Sequence, residues 1–179
     1  MKFGLGLIPL VVEAIVFLFV LIATPLEMFR LDVLGGDSCI TLWGARKCSS
    51  TKYSSRSFQC DRQRNTMRAG AAFAIISIFF TLVCVFMIFL KDTIKIGSFV
   101  AKVCAIVSVC TILIAWATAA GVYHQKMCKI LLFELPSYKN DGWKLGAGFG
   151  LMVTAWCLQV INAVLCFILW RKEYEEERG

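Results

Sequence analysis

The chain has 179 residues, of which 59% are apolar and only 17% are charged. A soluble domain has about half apolar and about a quarter charged residues, so the composition argues against that class. The net charge of +7 would favour nucleic-acid binding in a soluble protein. Here the basic residues lie between apolar blocks and alternate with acids, which is typical of solvated loops. We therefore expect a membrane protein with no nucleic-acid partner.

The apolar residues are concentrated in four blocks. Each block has about the 20 residues that are needed to cross a hydrocarbon core of ~30 Å. They are residues 4–23, 69–90, 97–122 and 146–170. Their connections are too short for a separate soluble domain. The sequence thus predicts one polytopic membrane domain over residues 1–179, an all-α four-helix transmembrane bundle. The first block is longer than a signal-peptide core and lacks a cleavage pattern, so we expect it to be retained.

The first connection, residues 24–68, carries the pattern of a small β-sheet. Ser38–Trp43 is predicted to be a strand, and Lys52–Cys60 its partner, with the turn at Gly44–Lys47. The third connection, residues 123–145, contains the turn-forming residues Pro136–Asp141. We therefore expect one small sheet standing on the bundle.

Nine cysteines divide by location. Those inside the blocks should behave as small apolar residues; they are Cys84, Cys104, Cys110, Cys157 and Cys166. Cys39, Cys48, Cys60 and Cys128 lie in two connections on one side, and an even set on one side indicates disulfides in an oxidising compartment. These four permit three complete pairings. No C-x-x-C is present, so thiol–disulfide redox chemistry is not expected.

Charge and cysteine placement predict opposite orientations. The first and third connections hold twelve Lys and Arg against seven elsewhere, which by the positive-inside rule would place them in the cytoplasm. Four thiols on one side indicate the reverse, and we favour the cysteines. Residues 24–68 and 123–145 are then extracellular. Residues 91–96 and both termini are cytoplasmic, in a multi-pass protein of the plasma membrane.

Glu13 lies at the centre of the first block, where an uncompensated carboxylate costs several kcal/mol and should face the bundle. Gln159 and Asn162 lie at a similar depth in the fourth block and, being three apart, share one helix face. We expect a structural hydrogen bond between the helices. The functional alternative is an ion or proton channel or transporter centred on these three residues.

Catalytic and metal-binding motifs are missing. The sequence has no phosphate-binding, zinc-protease or hydrolase pattern. His124 and Cys128 are four apart, but zinc requires three or four ligands. We predict no enzymatic activity, no cofactor and no metal. No N-x-[ST] acceptor is present, so N-glycosylation is not expected.

The stretch CITLWGARKC, residues 39–48, resembles the signature of the amastins, small four-span surface proteins of trypanosomatid parasites. The matching residues are Cys39, Ile40, Thr41, Leu42, Trp43, Gly44, Arg46 and Cys48, with one residue missing before the second cysteine. The resemblance continues through Cys60 into the second block and over residues 142–162. It implies a surface protein with no established catalysis, in contact with host membranes or organising the cell surface.

Leu42-Trp43 followed by Cys48 and Cys60 is also similar to the first-loop motif of claudins and peripheral myelin proteins. That resemblance implies a claudin-like fold with a small extracellular sheet. It also implies a Cys48–Cys60 bridge, which leaves Cys39 and Cys128 to join the two loops. A Cys39–Cys48 bridge stays open, because it is equally easy in sequence.

The predicted function is contact at the host–parasite interface. The disulfide-bonded loop of residues 24–68 would contact a partner protein, a second copy or an apposed membrane. The candidate contact residues are Trp43 and the basic Arg46, Lys47, Arg62 and Arg64, which suit phosphate-rich headgroups. For Trp43 itself we expect burial against the top of the bundle, with contact as the alternative. Membrane lipids, self-association and host membrane components are the expected partners.

Overall fold

A computed structural model describes residues 3–32, 36–50, 52, 58–90, 97–130 and 133–178. For residues 3–6, 98, 130, 133–134, 170 and 172–178 only the backbone is described. The described part contains four helices, and between them lie short strands. The helices are α1 (Phe3–Ala23), α2 (Asp61–Phe89), α3 (Gly97–His124) and α4 (Ala147–Arg178).

The helices have the dimensions of membrane spans. Three contain stretches long and apolar enough to cross a membrane, namely Asp61–Phe89, Phe99–His124 and Ala147–Leu169. In α1 the stretch described with side chains, Leu7–Ala23, is a shorter apolar helix. The whole of α1 has 21 residues, about 31 Å at ~1.5 Å per residue, which matches the hydrocarbon core. Large apolar side chains such as Ile75, Phe79 and Ile168 are exposed around the bundle, as lipid-facing residues should be.

Two helices extend beyond the predicted apolar blocks. Helix α2 begins at Asp61 rather than Ala69. Its first turn has an acid, favourable at a helix N-terminus, and Arg64 pairs with Asp61 at 2.7 Å. At the other end of the chain, α4 continues into the charged tail as far as Arg178. Apolarity alone could not detect either extension, because both are polar.

A four-stranded antiparallel sheet covers one end of the bundle. Its order is β3-β2-β1-β6, with β1 at Phe29–Leu31, β2 at Ser38–Ile40, β3 at Ala45–Lys47 and β6 at Lys144–Leu145. Phe29 lies opposite Ile40 on one side and Leu145 on the other. A second pair, β4 (Lys129–Ile130) and β5 (Phe133–Glu134), is also antiparallel. We call segments 24–68 and 123–145 together the cap.

The predicted strands were partly wrong. Ser38–Trp43 is a strand only as far as Ile40, because Thr41–Gly44 forms the turn. Ala45–Lys47, predicted as turn, is the partner strand β3. The described residues of Lys52–Cys60, namely 52 and 58–60, are not in a strand, and 53–57 lie outside the described part. The loop at residues 91–96 also lies outside it.

The cap is joined to the bundle where α1 ends and α4 begins. The amides of Gly146 and Gly148 donate to the carbonyls of Met28 (2.8 Å) and Glu27 (2.9 Å). Two of the N–H groups near the start of α4 are thereby paired with backbone that follows α1. Side chains at these glycines would meet Glu27, so the close approach depends on glycine. Below the sheet, the ring of Phe29 stacks on Tyr123 and Tyr138, with centroids 5.5 Å apart in both cases.

Candidate functional site: the cap and a buried polar triad

All four cysteines of the connections are paired within the cap, and the pairs are Cys39–Cys48 and Cys60–Cys128. The Cys48–Cys60 bridge implied by the claudin-like motif is therefore wrong. The Cys39–Cys128 bridge that would accompany it is wrong as well. The reason is the strand pairing. Because β2 pairs with β3, Cys39 lies opposite Arg46 and thus beside Cys48. Cys60 immediately precedes α2, where it reaches the segment that follows α3.

The signature residues build a tight turn between β2 and β3. The hydroxyl of Thr41 accepts hydrogen bonds from the amides of Trp43 (3.1 Å) and Gly44 (3.3 Å). The Thr41 amide donates to the Gly44 carbonyl at 2.9 Å. Gly44 has a φ of 156°, which glycine adopts readily. Arg46 donates from Nη2 to the carbonyl of Pro25 at 3.2 Å, which ties β3 to the end of α1.

Leu42 and Trp43, adjacent at the tip of this turn, have opposite environments. Leu42 is fully buried, and its Cδ2 lies 3.5 Å from where a Cβ on Gly70 of α2 would stand. Trp43 is 47% exposed. The expected burial of Trp43 against the bundle is thus wrong, because Leu42 occupies that position.

The cap is the positively charged end of the protein. Segments 24–68 and 123–145 contain twelve Lys and Arg and six Asp and Glu, a net charge of +6 out of the total of +7. The exposed basic residues include Lys47, Arg62, Lys126 and Lys139. The amide of Lys139 donates to the carbonyl of Tyr123 (3.1 Å), so Lys139 lies at the end of α3 near Lys126. The side chain of Arg64 is occupied in part by its ion pair with Asp61.

An exposed charge network crosses the sheet, and no spacing in the sequence indicates it. Asp32 accepts hydrogen bonds from Lys144 Nζ (3.1 Å) and Arg30 Nε (3.0 Å). These bonds, that of Lys144 first, lower the pKa of Asp32 below its usual range. Arg30 also pairs with Asp37. Lys144 and Asp32 are 112 residues apart, so only the pairing of β1 with β6 brings them together.

In the bundle, the structure brings together the three polar residues selected by depth. Gln159 Nε2 donates to Glu13 Oε1 at 3.2 Å, and Asn162 Nδ2 donates to Glu13 Oε2 at 2.6 Å. All three side chains are fully buried. This polar triad links α1 to α4 as the structural hypothesis expected.

Buried polar atoms of the triad and of other positions on α3 and α4 have no hydrogen-bond partner in the described part of the chain. Within the described residues, five such atoms of these helices lack a hydrogen-bond partner: Trp116 Nε1, Trp156 Nε1, Ser108 Oγ, Gln159 Oε1 and Asn162 Oδ1. Trp116 and Trp156 pack edge to face with centroids 5.6 Å apart. Residues 156, 159 and 162 recur every three positions and so follow one side of α4. The five atoms therefore extend from the paired indoles to the level of Glu13.

The possible metal pair is not assembled. Cys128 is bonded to Cys60, so its sulfur is not available as a thiolate ligand, and His124 is exposed. The described residues include no group of three or more His, Cys, Asp or Glu side chains placed to hold a metal ion.

Comparison with known proteins supports the resemblance seen in residues 39–48. Residues 14–166 match the family model described as Amastin surface glycoprotein. A comparison with individual curated proteins gives no match. The match covers most of the chain, and the four helices, the small sheet and the Cys39–Cys48 bridge agree with a multi-pass membrane protein. The chain belongs to the amastin surface glycoprotein family.

Proposed function

We propose that this amastin is a non-enzymatic protein of the plasma membrane whose cap contacts an anionic surface outside the cell. The net charge of +6 on the cap is the observation that supports the proposal. Each Lys or Arg close to an anionic lipid surface contributes about 1 kcal/mol. Two disulfides hold the charged segments in place, so little ordering is needed on contact. For a parasite surface protein, the phosphate-rich headgroups of an apposed host membrane are the candidate partner.

Vesicle binding tests this proposal. The protein is placed in nanodiscs of neutral lipid and mixed with vesicles of phosphatidylcholine, with or without phosphatidylserine. We expect binding only to the anionic vesicles, weakening as salt rises. The double variant Lys126→Glu, Lys139→Glu should lose at least about 2 kcal/mol, roughly 30-fold in affinity.

The matched control is Lys126→Arg with Lys139→Arg, which retains both charges and should bind like the unmodified protein. Binding that ignores both lipid charge and the Glu substitutions would contradict the proposal.

As a second candidate function, we propose a proton path through the bundle at the polar triad. The five unpartnered atoms of α3 and α4 support it, because buried polar atoms are ordinarily satisfied by protein or by ordered water. Water hydrogen-bonded along Trp116, Trp156 and the triad would connect the cap end of the bundle with the Glu13 carboxyl group. A carboxyl group inside a membrane is a common element of proton relays.

Flux measurements test the second candidate. Proteoliposomes with an imposed pH gradient and an internal pH-sensitive dye should show proton entry that Glu13→Gln abolishes. Glu27→Gln makes the same chemical change in the cap and is the control expected to leave flux unchanged. No flux with the unmodified protein, or flux unaffected by Glu13→Gln, would refute this path.

A further inference from the structure

We propose that Trp43, the one exposed large apolar side chain of the signature turn, is bound by the interfacial lipid of the membrane that the helices span. The sequence suggested either partner contact or burial in the bundle, and the exposure of Trp43 excludes burial. The proposal concerns the depth of the turn relative to this membrane.

The position of Leu42 sets that depth. It lies against Gly70, and Gly70 also faces Thr118 and Ala115 of α3. Gly70 is nine residues from the start of α2, about 13 Å along its axis. The polar part of α2, residues 61–68, lies above this level, and the apolar block begins at residue 69. On α3, Thr118 lies four residues inside the apolar block, about 6 Å. The tip of the turn therefore reaches the boundary between headgroups and hydrocarbon.

Trp43 is suited to that boundary. Tryptophan is enriched there because its ring is apolar while its indole N–H can bond to headgroups or water. Trp43, 47% exposed at this level, contacts lipid and not a partner outside the membrane, because the headgroups extend several Å above the hydrocarbon. The exposed apolar residues of α2, such as Ile75 and Phe79, continue the lipid-facing surface below it. Buried Leu42 and lipid-bound Trp43 would together fix the height of the cap.

Quenching of tryptophan fluorescence tests this proposal. The protein and its Trp43→Phe variant are reconstituted in vesicles, and the difference between their emission spectra isolates Trp43 from the other four tryptophans. Lipids brominated near the top of the acyl chain should quench this component several-fold more strongly than aqueous iodide does. The difference obtained with Trp143→Phe is the comparison, because the Trp143 indole bonds to Asp141 in the cap (3.2 Å) and should be much less sensitive to brominated lipid.

Stronger quenching of Trp43 by iodide than by brominated lipid would overturn the inference. The result does not depend on the proposed contact with anionic surfaces. Trp43→Phe should bind anionic vesicles like the unmodified protein, whereas failure of vesicle binding altogether would leave the quenching pattern unchanged.

Discussion

Thr41 illustrates what the signature residues do. Its hydroxyl accepts two amide hydrogen bonds within the turn, so alanine or valine there would leave those amides unpaired. Ile40 and Leu42 are in the core, the cysteines are bonded, and Arg46 bonds to Pro25. These residues maintain the cap, and only Trp43 is left to act on something outside the protein.

Glycine at position 148 is required by close packing. A Cβ there would stand 2.8 Å from the carbonyl oxygen of Glu27 and 3.1 Å from that of Ala23, and backbone cannot easily move away. Gly148→Ala should therefore destabilise the protein by about 1–3 kcal/mol. Gly150→Ala is the matched control, because no atom lies within 4 Å of its Cβ and alanine favours a helix by up to about 1 kcal/mol. In detergent, Gly148→Ala should unfold at a lower temperature than the unmodified protein, and Gly150→Ala at the same or a higher temperature. Equal effects of the two substitutions would contradict this packing.

Tyr138 should make stability fall at alkaline pH. Burial, with a smaller effect of Asp141, raises its pKa to about 12 from 10.0. Above pH 10 the unfolded state loses this proton first, so stability present at lower pH is lost as pH rises towards 12, by on the order of 3 kcal/mol. Tyr138→Phe should remove this part of the pH dependence, measured by unfolding against pH. An unchanged slope in the variant would show that Tyr138 titrates normally.

The meeting of Glu13 with Gln159 and Asn162 could be predicted because helices have a fixed rise. Counting residues from the ends of two spans gives depth, and a carboxyl group in lipid must find a partner. The environment of Trp43 could not be predicted in this way. It depends on which of two neighbouring apolar residues the turn directs inward, and Thr41 and Gly44 decide that through hydrogen bonds.

At the level of elements, apolar blocks located all four helices but not the strands. Each strand has only two or three residues, too few for a period of two to be recognised. Strand β6 directly precedes the fourth apolar block, and its pairing with β1 joins residues more than a hundred positions apart. The Cys39–Cys48 bridge depends on the pairing of β2 with β3, so the Cys48–Cys60 bridge implied by the claudin-like motif was wrong for the same reason.

The two disulfides should differ in their effects on stability. In the chain-entropy model, Cys39–Cys48 with a separation of 9 contributes about 2.5 kcal/mol, and Cys60–Cys128 with a separation of 68 about 4 kcal/mol. The second value is an upper limit, because α2 and α3 remain inserted when the cap unfolds. Cys60→Ser with Cys128→Ser should lower the unfolding temperature in detergent more than Cys39→Ser with Cys48→Ser. Equal or reversed effects would indicate that membrane insertion already constrains the longer loop.

For the molecule as a whole, charge is distributed unequally between the two ends. The cap segments carry +6, and the remainder of the chain, with seven basic and six acidic residues, carries +1. By the positive-inside rule this distribution would place the cap in the cytoplasm, whereas the disulfides of the cap indicate the opposite. All four cysteines of the cap are in disulfides, whereas the described cysteines within the helices are not. Disulfides persist in oxidising compartments, which supports the proposed outward orientation of the cap.

Thiol labelling of intact cells tests this orientation. With a maleimide that cannot cross the membrane, Cys39, Cys48, Cys60 and Cys128 should be unreactive until a mild reductant is added outside, and all four should then be labelled. The other cysteines lie within helices that face lipid or the bundle interior, so they should stay unlabelled and serve as the internal control. A tag at the C-terminus should be detected only after permeabilisation. Labelling of the cap cysteines only in opened cells, without a reductant, would place the cap in the cytoplasm. The proposed contact with an external anionic surface would then be untenable, whereas the depth inferred for Trp43 would still hold, because it depends on Leu42 and Gly70 rather than on the side of the membrane.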